Sequence, residues 1–391
     1  MTRSRREIIL ILGIFTALAP LAIDMYLPAL PQLGIVFASD PARVQSTLAS
    51  FFLGFALGQA FYGPVADRWG RKPPLYGSLA LFALASAGCA LASSIQVLIG
   101  LRFLQALGAC AGGVIARAMV RDLFEPREAP RVYASLVLVM GAAPMLAPMA
   151  GGWLLAVLGW RSIFWALAAT GIVGLVLLHF RLPESHRQRD GRAGGLCGVL
   201  QAYGRLLCDR PFMGHTLAGG IAMAGMFAYI SGSPFVFIQL HGVPPEHFGW
   251  FFGLNALGFV VVAQINGRLL NGVDARRVLM GGQLLQLAAG AVLVAEAVWG
   301  WGGLAGIAVP LFVFIASLGF ITPSATALAM APQGANAGTA SALLGTMQFS
   351  IAALVSFALS LLQDGTARPM TMVMLGCALS GLVISRMLAR V

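Results

Sequence analysis

The chain has 391 residues, of which 59% are hydrophobic and only 10% are charged. Globular domains usually carry about 25% charged residues, so this chain has too little polar material to cover a water-soluble surface. That composition excludes a soluble enzyme, a disordered protein and a disulfide scaffold. The net charge of +11 could indicate a nucleic-acid partner, but a chain so apolar argues against one.

Twelve long apolar runs follow one another along the chain. A membrane-spanning helix takes about 20 residues, and in hydrocarbon every backbone polar group must be satisfied within the segment. The sequence therefore predicts an all-α integral membrane protein with twelve transmembrane helices. The first run continues past Asp24 to Leu30, so we expect a helix there and not a cleaved signal peptide. The predicted spans are 8–31, 45–65, 74–93, 95–119, 132–157, 161–181, 213–238, 247–269, 277–299, 302–328, 337–362 and 369–389.

The basic residues predict the orientation. With the N-terminus in the cytoplasm, twenty of the 25 cations lie at cytoplasmic positions and three lie outside. This bias follows the positive-inside rule, and an even number of spans places both termini in the cytoplasm. The two remaining cations, Arg102 and Arg117, lie within the fourth run.

The longest polar stretch, 183–212, divides the chain into an N-terminal half (1–182) and a C-terminal half (213–391), each with six predicted helices. A weak repeat, Leu57-Gly58 and Leu257-Gly258 with basic residues after each, supports the division. Two parallel halves are a recurrent transporter plan. The connecting stretch is either a solvated loop that helps fix topology or a basic segment attracted to anionic lipid.

Between the second and third runs the chain reads GPVADRWGRK (63–72). Gly63 would let another backbone approach, Gly70 would supply a turn residue with positive φ, and Asp67 would pair with arginine or a helix N-terminus. The stretch resembles the loop signature of the major facilitator superfamily, with Val65 in place of leucine. The resemblance implies a cytoplasmic gate that docks on neighbouring helix ends in the outward-open state, formed by Gly63, Asp67, Arg68, Gly70, Arg71 and Lys72.

Two further runs resemble helix motifs of the same superfamily. Arg102 begins a fourth-helix motif, with Ala106 where glycine is usual. In the fifth run Ala143, Ala147 and Gly151 recur every four residues, which predicts a smooth face for close helix packing. That run resembles a motif found mainly in antiporters, although alanines replace its first two glycines. The residues concerned are Pro144, Pro148, Gly151 and Gly152.

The first run contains DMYLPALP (24–31). Asp24 is the only acid deep inside any run, and Pro28 removes the amide that would bond the Asp24 carbonyl. The stretch matches, without a gap, a signature of the bicyclomycin-resistance (Bcr/CflA) branch of drug:proton antiporters, and residues 117–124 look typical of that branch. The resemblance implies a proton-coupled multidrug efflux antiporter of the bacterial inner membrane. It would export amphipathic drugs such as bicyclomycin- or chloramphenicol-type compounds and could act as a monomer.

Asp24 and Arg102 lie at similar depths in the outer half of the membrane, given a rise of about 1.5 Å per residue. Because buried charges are expensive, we expect both to face one central cavity and to couple proton binding to transport. The alternative is a static ion pair that fixes helix packing. Arg117 lies about 22 Å deeper, and belongs either to the inner gate or to a snorkelling position. Candidates for the substrate cavity are Tyr26, Tyr229, Asn255, Phe259 and Gln348.

Other functions receive less support from the sequence. An exporter of one metabolite, such as an amino acid or sugar, would use the same fold. A membrane enzyme would need a nucleophile with its base or a set of metal ligands, and a channel would not need a proline-bent antiporter helix. The cysteine and histidine spacings fit no metal site and there is no P-loop, so we expect no cofactor, and the proton gradient would supply the energy.

Overall fold

A computed structural model describes residues 5–125, 128–185 and 196–388. Twelve helices within these ranges are long and apolar enough to cross a membrane. They follow the twelve predicted runs in order, and the described ranges contain no β-strand. The prediction of an all-α membrane protein with twelve spans is confirmed.

The first span is interrupted near its end: α1 (Arg5–Asp24) is followed by a 3-10 turn (Leu27–Ala29) and a short helix α2 (Leu30–Val36). Polar caps begin two of the helices after it. The Asp40 carboxylate accepts the Arg43 amide at 2.7 Å, and the Ser94 hydroxyl accepts the Val97 amide at 3.4 Å, as N-cap residues do. The other spans of this half are α3 (Pro41–Trp69), α4 (Lys72–Ala90), α5 (Ile95–Leu123), α6 (Ala129–Leu158) and α7 (Trp160–Arg181).

The second half repeats this plan, including an interruption in its first span. Helix α9 (Arg210–Pro234) ends in a π-helical segment (Phe235–Leu240), just as Pro28 accompanies the break after α1. Proline lacks the amide that continues a regular helix, so both breaks have a local cause. The other spans are α10 (Pro245–Leu269), α11 (Ala275–Trp299), α12 (Gly303–Met330) with a 3-10 extension (Ala331–Asn336), α13 (Ala337–Leu362) and α14 (Arg368–Leu388).

The polar connector contains one helix, α8 (Leu196–Cys208), where the sequence predicts only a loop. The helix packs on α9 and α13, and its Leu206 is buried against Phe212 and Leu343. Helix α8 of the connector is therefore attached to the second half by an apolar contact.

The halves meet along two seams, α3 against α13 and α6 against α10. Phenylalanines fill the first seam and its border with α9 near the middle of α3. The ring centroids of Phe52 and Phe227 are 4.8 Å apart, and those of Phe55 and Phe349 are 4.3 Å apart. Such ring pairs add to the apolar burial that holds two surfaces together. We call the end of the bundle that holds the α3–α4 loop the basic face, and the end that holds the two helix breaks the opposite face.

Candidate functional site

Asp24 is the last residue of α1, at the point where the helix is interrupted. Its side chain is only 4% exposed, and within the described ranges no ion pair reaches it. Its electrostatic neighbour is Tyr229 of α9, in the other half. The Tyr229 hydroxyl accepts a hydrogen bond from Asn255 Nδ2 at 3.0 Å. Asp24 thus lies within electrostatic range of a polar pair on the second half, and a proton could occupy its carboxyl without breaking a salt bridge.

Arg102 lies elsewhere, fully buried inside the first half. Its Nη1 donates to the Ala22 carbonyl at 2.9 Å and to Gln105 Oε1 at 2.6 Å. The guanidinium carbon lies 4.5 Å from the Tyr26 ring centroid and 4.4 Å from that of Phe51. Ala22 is in the last turn of α1, where carbonyls lack helical partners and a cation is a suitable cap. Arg102 therefore holds the end of α1 beside the break.

This arrangement corrects the expectation that Asp24 and Arg102 share one cavity. The side chains are at similar depths, but Asp24 faces the second half, whereas Arg102 is enclosed by rings and polar groups of the first half. Equal depth fixes a position along the membrane normal and not a direction around a helix. No ion pair joins the two residues in the part of the chain that the structure describes.

Helix α6 brings the break of α1 and the second half together. A side chain at Gly151 would collide with the Met25 carbonyl, next to Asp24. A Cβ at Gly152 would lie 2.6 Å from the Pro245 carbonyl of α10. Adjacent glycines thus allow two close approaches, one within the first half and one to the second half, and the predicted packing face of α6 is confirmed. The helix remains continuous through Pro144 and Pro148.

The candidates for the substrate cavity fall into different environments. Tyr229 and Asn255 form the polar pair beside Asp24. Tyr26 is fully buried within the first half, where its hydroxyl lies 2.9 Å from that of Thr47. Phe259 and Gln348 are partly buried on α10 and α13. Of the predicted candidates, Tyr229 and Asn255 therefore lie near Asp24. Tyr26 instead packs inside the first half against the Arg102 guanidinium.

Arg71 forms the centre of the α3–α4 loop. Its side chain is buried and donates to Asp67 Oδ1 at 2.6 Å and to Asp122 Oδ2, at the end of α5, at 2.8 Å. Burial lowers the pKa of Arg71, but the hydrogen bonds that Arg71 donates to Asp122 and Asp67 outweigh that effect and leave the pKa raised. Since arginine is protonated at neutral pH even without such partners, this residue stays charged at every physiological pH.

The segment that follows α7 forms hydrogen bonds with the same loop. The Glu184 carboxylate accepts the backbone amides of Arg71 and Lys72, each at 3.0 Å, at the N-terminus of α4, where an anion is favoured. Lys72 Nζ donates to the Leu182 carbonyl at 2.9 Å. Four hydrogen bonds thus fasten the loop to the end of α5 and to the segment that follows α7.

The α3–α4 loop does contact neighbouring helix ends, within the first half, and its role as a gate stays a prediction. Gly70 has the predicted positive φ, +91°. The close approach predicted at Gly63 is wrong, because a Cβ there would meet nothing within 4 Å. Arg68 is exposed. Arg117 is exposed on α5, and its role at the gate stays a prediction.

Sequence reasoning missed two acids of this loop cluster, Asp122 and Glu184. Both were visible beside motifs: Asp122 follows Arg121 at the end of the fourth run, and Glu184 follows Pro183 at the end of the sixth. Acidic residues at the ends of two predicted helices on the side of a loop with three cations were the signal that could have identified them.

Comparisons with known proteins agree with this fold. The sequence profile described as Major Facilitator Superfamily matches residues 12–357. An uncharacterized MFS-type transporter, YdgK of Bacillus subtilis, is 36% identical over 381 residues, which cover 97% of this chain and 94% of the relative. The bicyclomycin resistance protein homolog of Haemophilus influenzae is 30% identical, with coverage of 94% and 92%. The chloramphenicol resistance protein of Pseudomonas aeruginosa is 32% identical, with coverage of 92% and 85%.

Solved structures show the same fold at low sequence identity. A D-xylose-proton symporter superimposes with a TM-score of 0.78 at 15% identity, covering 98% of both chains. A bacterial homolog of the human lysosomal transporter Spinster, in an inward-facing conformation, gives 0.75 at 15% identity and covers 100% of this chain and 96% of its own. The chain belongs to the major facilitator superfamily and, within it, to the bicyclomycin-resistance (Bcr/CflA) family.

Proposed function

We propose that this transporter exports small amphipathic molecules, of the bicyclomycin or chloramphenicol type, in exchange for protons across a bacterial inner membrane. The basic face would be cytoplasmic, with both termini on that side. The protein would need only its substrate, protons and the lipid bilayer, and would act as a monomer. Nucleic acid has no part in this function, and neither does a bound cofactor.

The observation that carries the proposal is the isolated carboxyl of Asp24. A buried acid without an ion-pair partner in the described structure has no evident structural role, since a charge there costs free energy and stabilises no neighbour. Intramembrane acids of this kind mark proton pathways. The names of the relatives, a bicyclomycin resistance protein homolog and a chloramphenicol resistance protein, support drugs as the substrates.

Asp24 is suited to coupling because it lies between the halves. A negative carboxylate and a neutral acid interact differently with the Tyr229–Asn255 pair of the second half. Protonation of Asp24 would thus change the contact energy between the halves. A ligand shifts a conformational equilibrium only by its differential affinity for the two states, and here the proton supplies that difference. Arg102 would hold the adjacent end of α1 while Asp24 changes charge.

The α3–α4 loop would act as the gate on the basic face. Its contacts with Asp122 and Glu184 give the first half a rigid edge there. In the outward-open state this edge would close against the second half, and its release would open the cavity to the cytoplasm.

The test is export by membrane vesicles driven by an imposed pH gradient. We expect Asp24→Asn to reduce gradient-driven export of chloramphenicol at least tenfold while exchange of internal for external drug without a gradient continues. Asp364→Asn is the matched control, since Asp364 lies in the exposed α13–α14 loop. Full pH-driven export by Asp24→Asn would refute the role of Asp24. A flux that ignores pH and accepts one metabolite would instead identify a metabolite exporter.

A further inference from the structure

A cavity of about 240 Å³ lies between the two halves at the opposite face. Its walls come from α2 and the start of α3 in the first half, and from the end of α9 with its π-helical segment in the second. It is therefore separate from the gate loop, which lies at the other end of the bundle. Its lining includes Leu30, Val44, Gln45, Ser231, Phe235 and Gln239.

Gln45 gives this cavity an unsatisfied polar group. Its side chain is 3% exposed, and its Oε1 has no hydrogen-bond partner among the described residues. A buried acceptor without a donor costs free energy, and native structures rarely leave one without reason. A molecule that enters the cavity with an N–H or O–H group would satisfy it once the buried Gln45 amide turns toward the cavity that this residue lines.

The rest of the lining restricts the chemistry of that molecule. None of the described residues that line the cavity is acidic or basic, and most of the wall is aliphatic or aromatic. A cation would find no counter-charge there and would lose its hydration. The volume exceeds the space of a single water, about 30 Å³ in the liquid. The lining therefore fits an uncharged amphipathic molecule that carries an amide or hydroxyl donor.

The position of the cavity relates it to Asp24. Gln45 is two residues before Thr47, whose hydroxyl contacts Tyr26, and Ser231 is two residues after Tyr229. The cavity thus lies immediately beyond the layer of Asp24 and Tyr229, toward the opposite face. A substrate that moved from the layer of Asp24 and Tyr229 toward the opposite face, between the halves, would enter this cavity next.

We propose that this cavity is an exit subsite for neutral amphipathic substrates, in which Gln45 Oε1 accepts a hydrogen bond from the departing molecule. The proposal rests on the export function proposed above. It makes Gln45 a specificity residue, which favours substrates with an N–H or O–H donor over cations of similar size.

The test is protection from chemical labelling. Ser39 also lines the cavity, so Ser39→Cys would report occupancy when right-side-out vesicles are treated with a membrane-impermeant maleimide. Chloramphenicol, a neutral molecule with amide and hydroxyl donors, should slow the labelling, whereas the cation ethidium should not. Three of the native cysteines, Cys89, Cys110 and Cys377, are buried, and vesicles without Ser39→Cys give the background.

Adding Gln45→Leu should raise the chloramphenicol concentration for half-protection about fivefold to tenfold, the effect of one lost hydrogen bond. Gln96→Leu, an exposed glutamine at the start of α5, should leave it unchanged. Equal protection with Gln45→Leu, or no protection in a protein that exports chloramphenicol, would overturn the subsite alone. If everted vesicles of the same protein export no drug, the export function fails and the subsite fails with it.

Discussion

Replacing Arg102 tests whether this residue anchors the end of α1 or takes part in proton coupling at Asp24. In the structure its guanidinium makes two hydrogen bonds, to the Ala22 carbonyl and to Gln105, and lies over two aromatic rings. We consider Arg102→Met, which keeps much of the length and removes the charge, and Arg102→Lys, which keeps the charge and loses the planar fork.

The expected loss of stability follows from these contacts. Hydrogen bonds to a charged group contribute about 1.5–3 kcal/mol each, and a desolvated cation–ring contact about 2 kcal/mol. Removing the cation recovers its burial cost, at least ~2.5–3.5 kcal/mol on insertion scales. The net loss for Arg102→Met is therefore about 1.5–5.5 kcal/mol, whereas Arg102→Lys loses one bond, about 1.5–3 kcal/mol.

Thermal unfolding in detergent measures the anchoring role, and the pH dependence of export by vesicles measures the coupling role. We expect Arg102→Met to lower Tm by roughly 5–10 °C and Arg102→Lys by less, while the pH midpoint of residual export stays in place. Loss of a cation paired with Asp24 would instead move that midpoint by about 1–3 pH units. Arg161→Met, an exposed arginine 4.4 Å from the Trp160 ring centroid, is the control. An unchanged Tm with a displaced midpoint would refute the anchoring role.

Two further predictions concern the gate loop and α6. Glu184→Gln should weaken the hydrogen bonds from the Arg71 and Lys72 amides by about 1–2 kcal/mol. Hydrogen exchange at these two amides should then be faster than in the exposed control variant Glu125→Gln. Unchanged exchange would contradict the proposed contact with Glu184. Gly151→Ala should push α6 away from the Met25 carbonyl, at a cost of about 1–3 kcal/mol, and lower Tm by several degrees. Gly100→Ala is the control and should not lower Tm, because a Cβ there meets nothing within 4 Å. Equal Tm values for the two variants would contradict the close contact.

The sequence was sufficient for the architecture because the bilayer imposes strong rules on it. Helix length, the excess of basic residues on one side and the proline next to Asp24 each have a direct physical meaning in a membrane. The break after α1, the turn at Gly70 and the packing face of α6 could therefore be predicted from single residues and short motifs.

The partners of the polar residues could not be predicted in the same way. Rise per residue gives the depth of Asp24 and Arg102, but the direction of each side chain depends on the tilt and rotation of every packed helix. Those angles arise from contacts between segments far apart in the chain, such as Gly151 with Met25. Gln45 carries no charge, so nothing in its sequence context distinguished it from the other glutamines.

The attachment of the connector has a consequence for dividing the protein. Hydrogen bonds join the start of the connector region to the first half, through Leu182, Glu184 and Ser185. Helix α8, in contrast, packs on the second half. Each half therefore carries its own part of the connector, and a break in the chain between Ser185 and Leu196 would remove none of these contacts. Two separate polypeptides that end and begin there would retain the surfaces needed to reassemble, and a reporter domain inserted there would interrupt neither half.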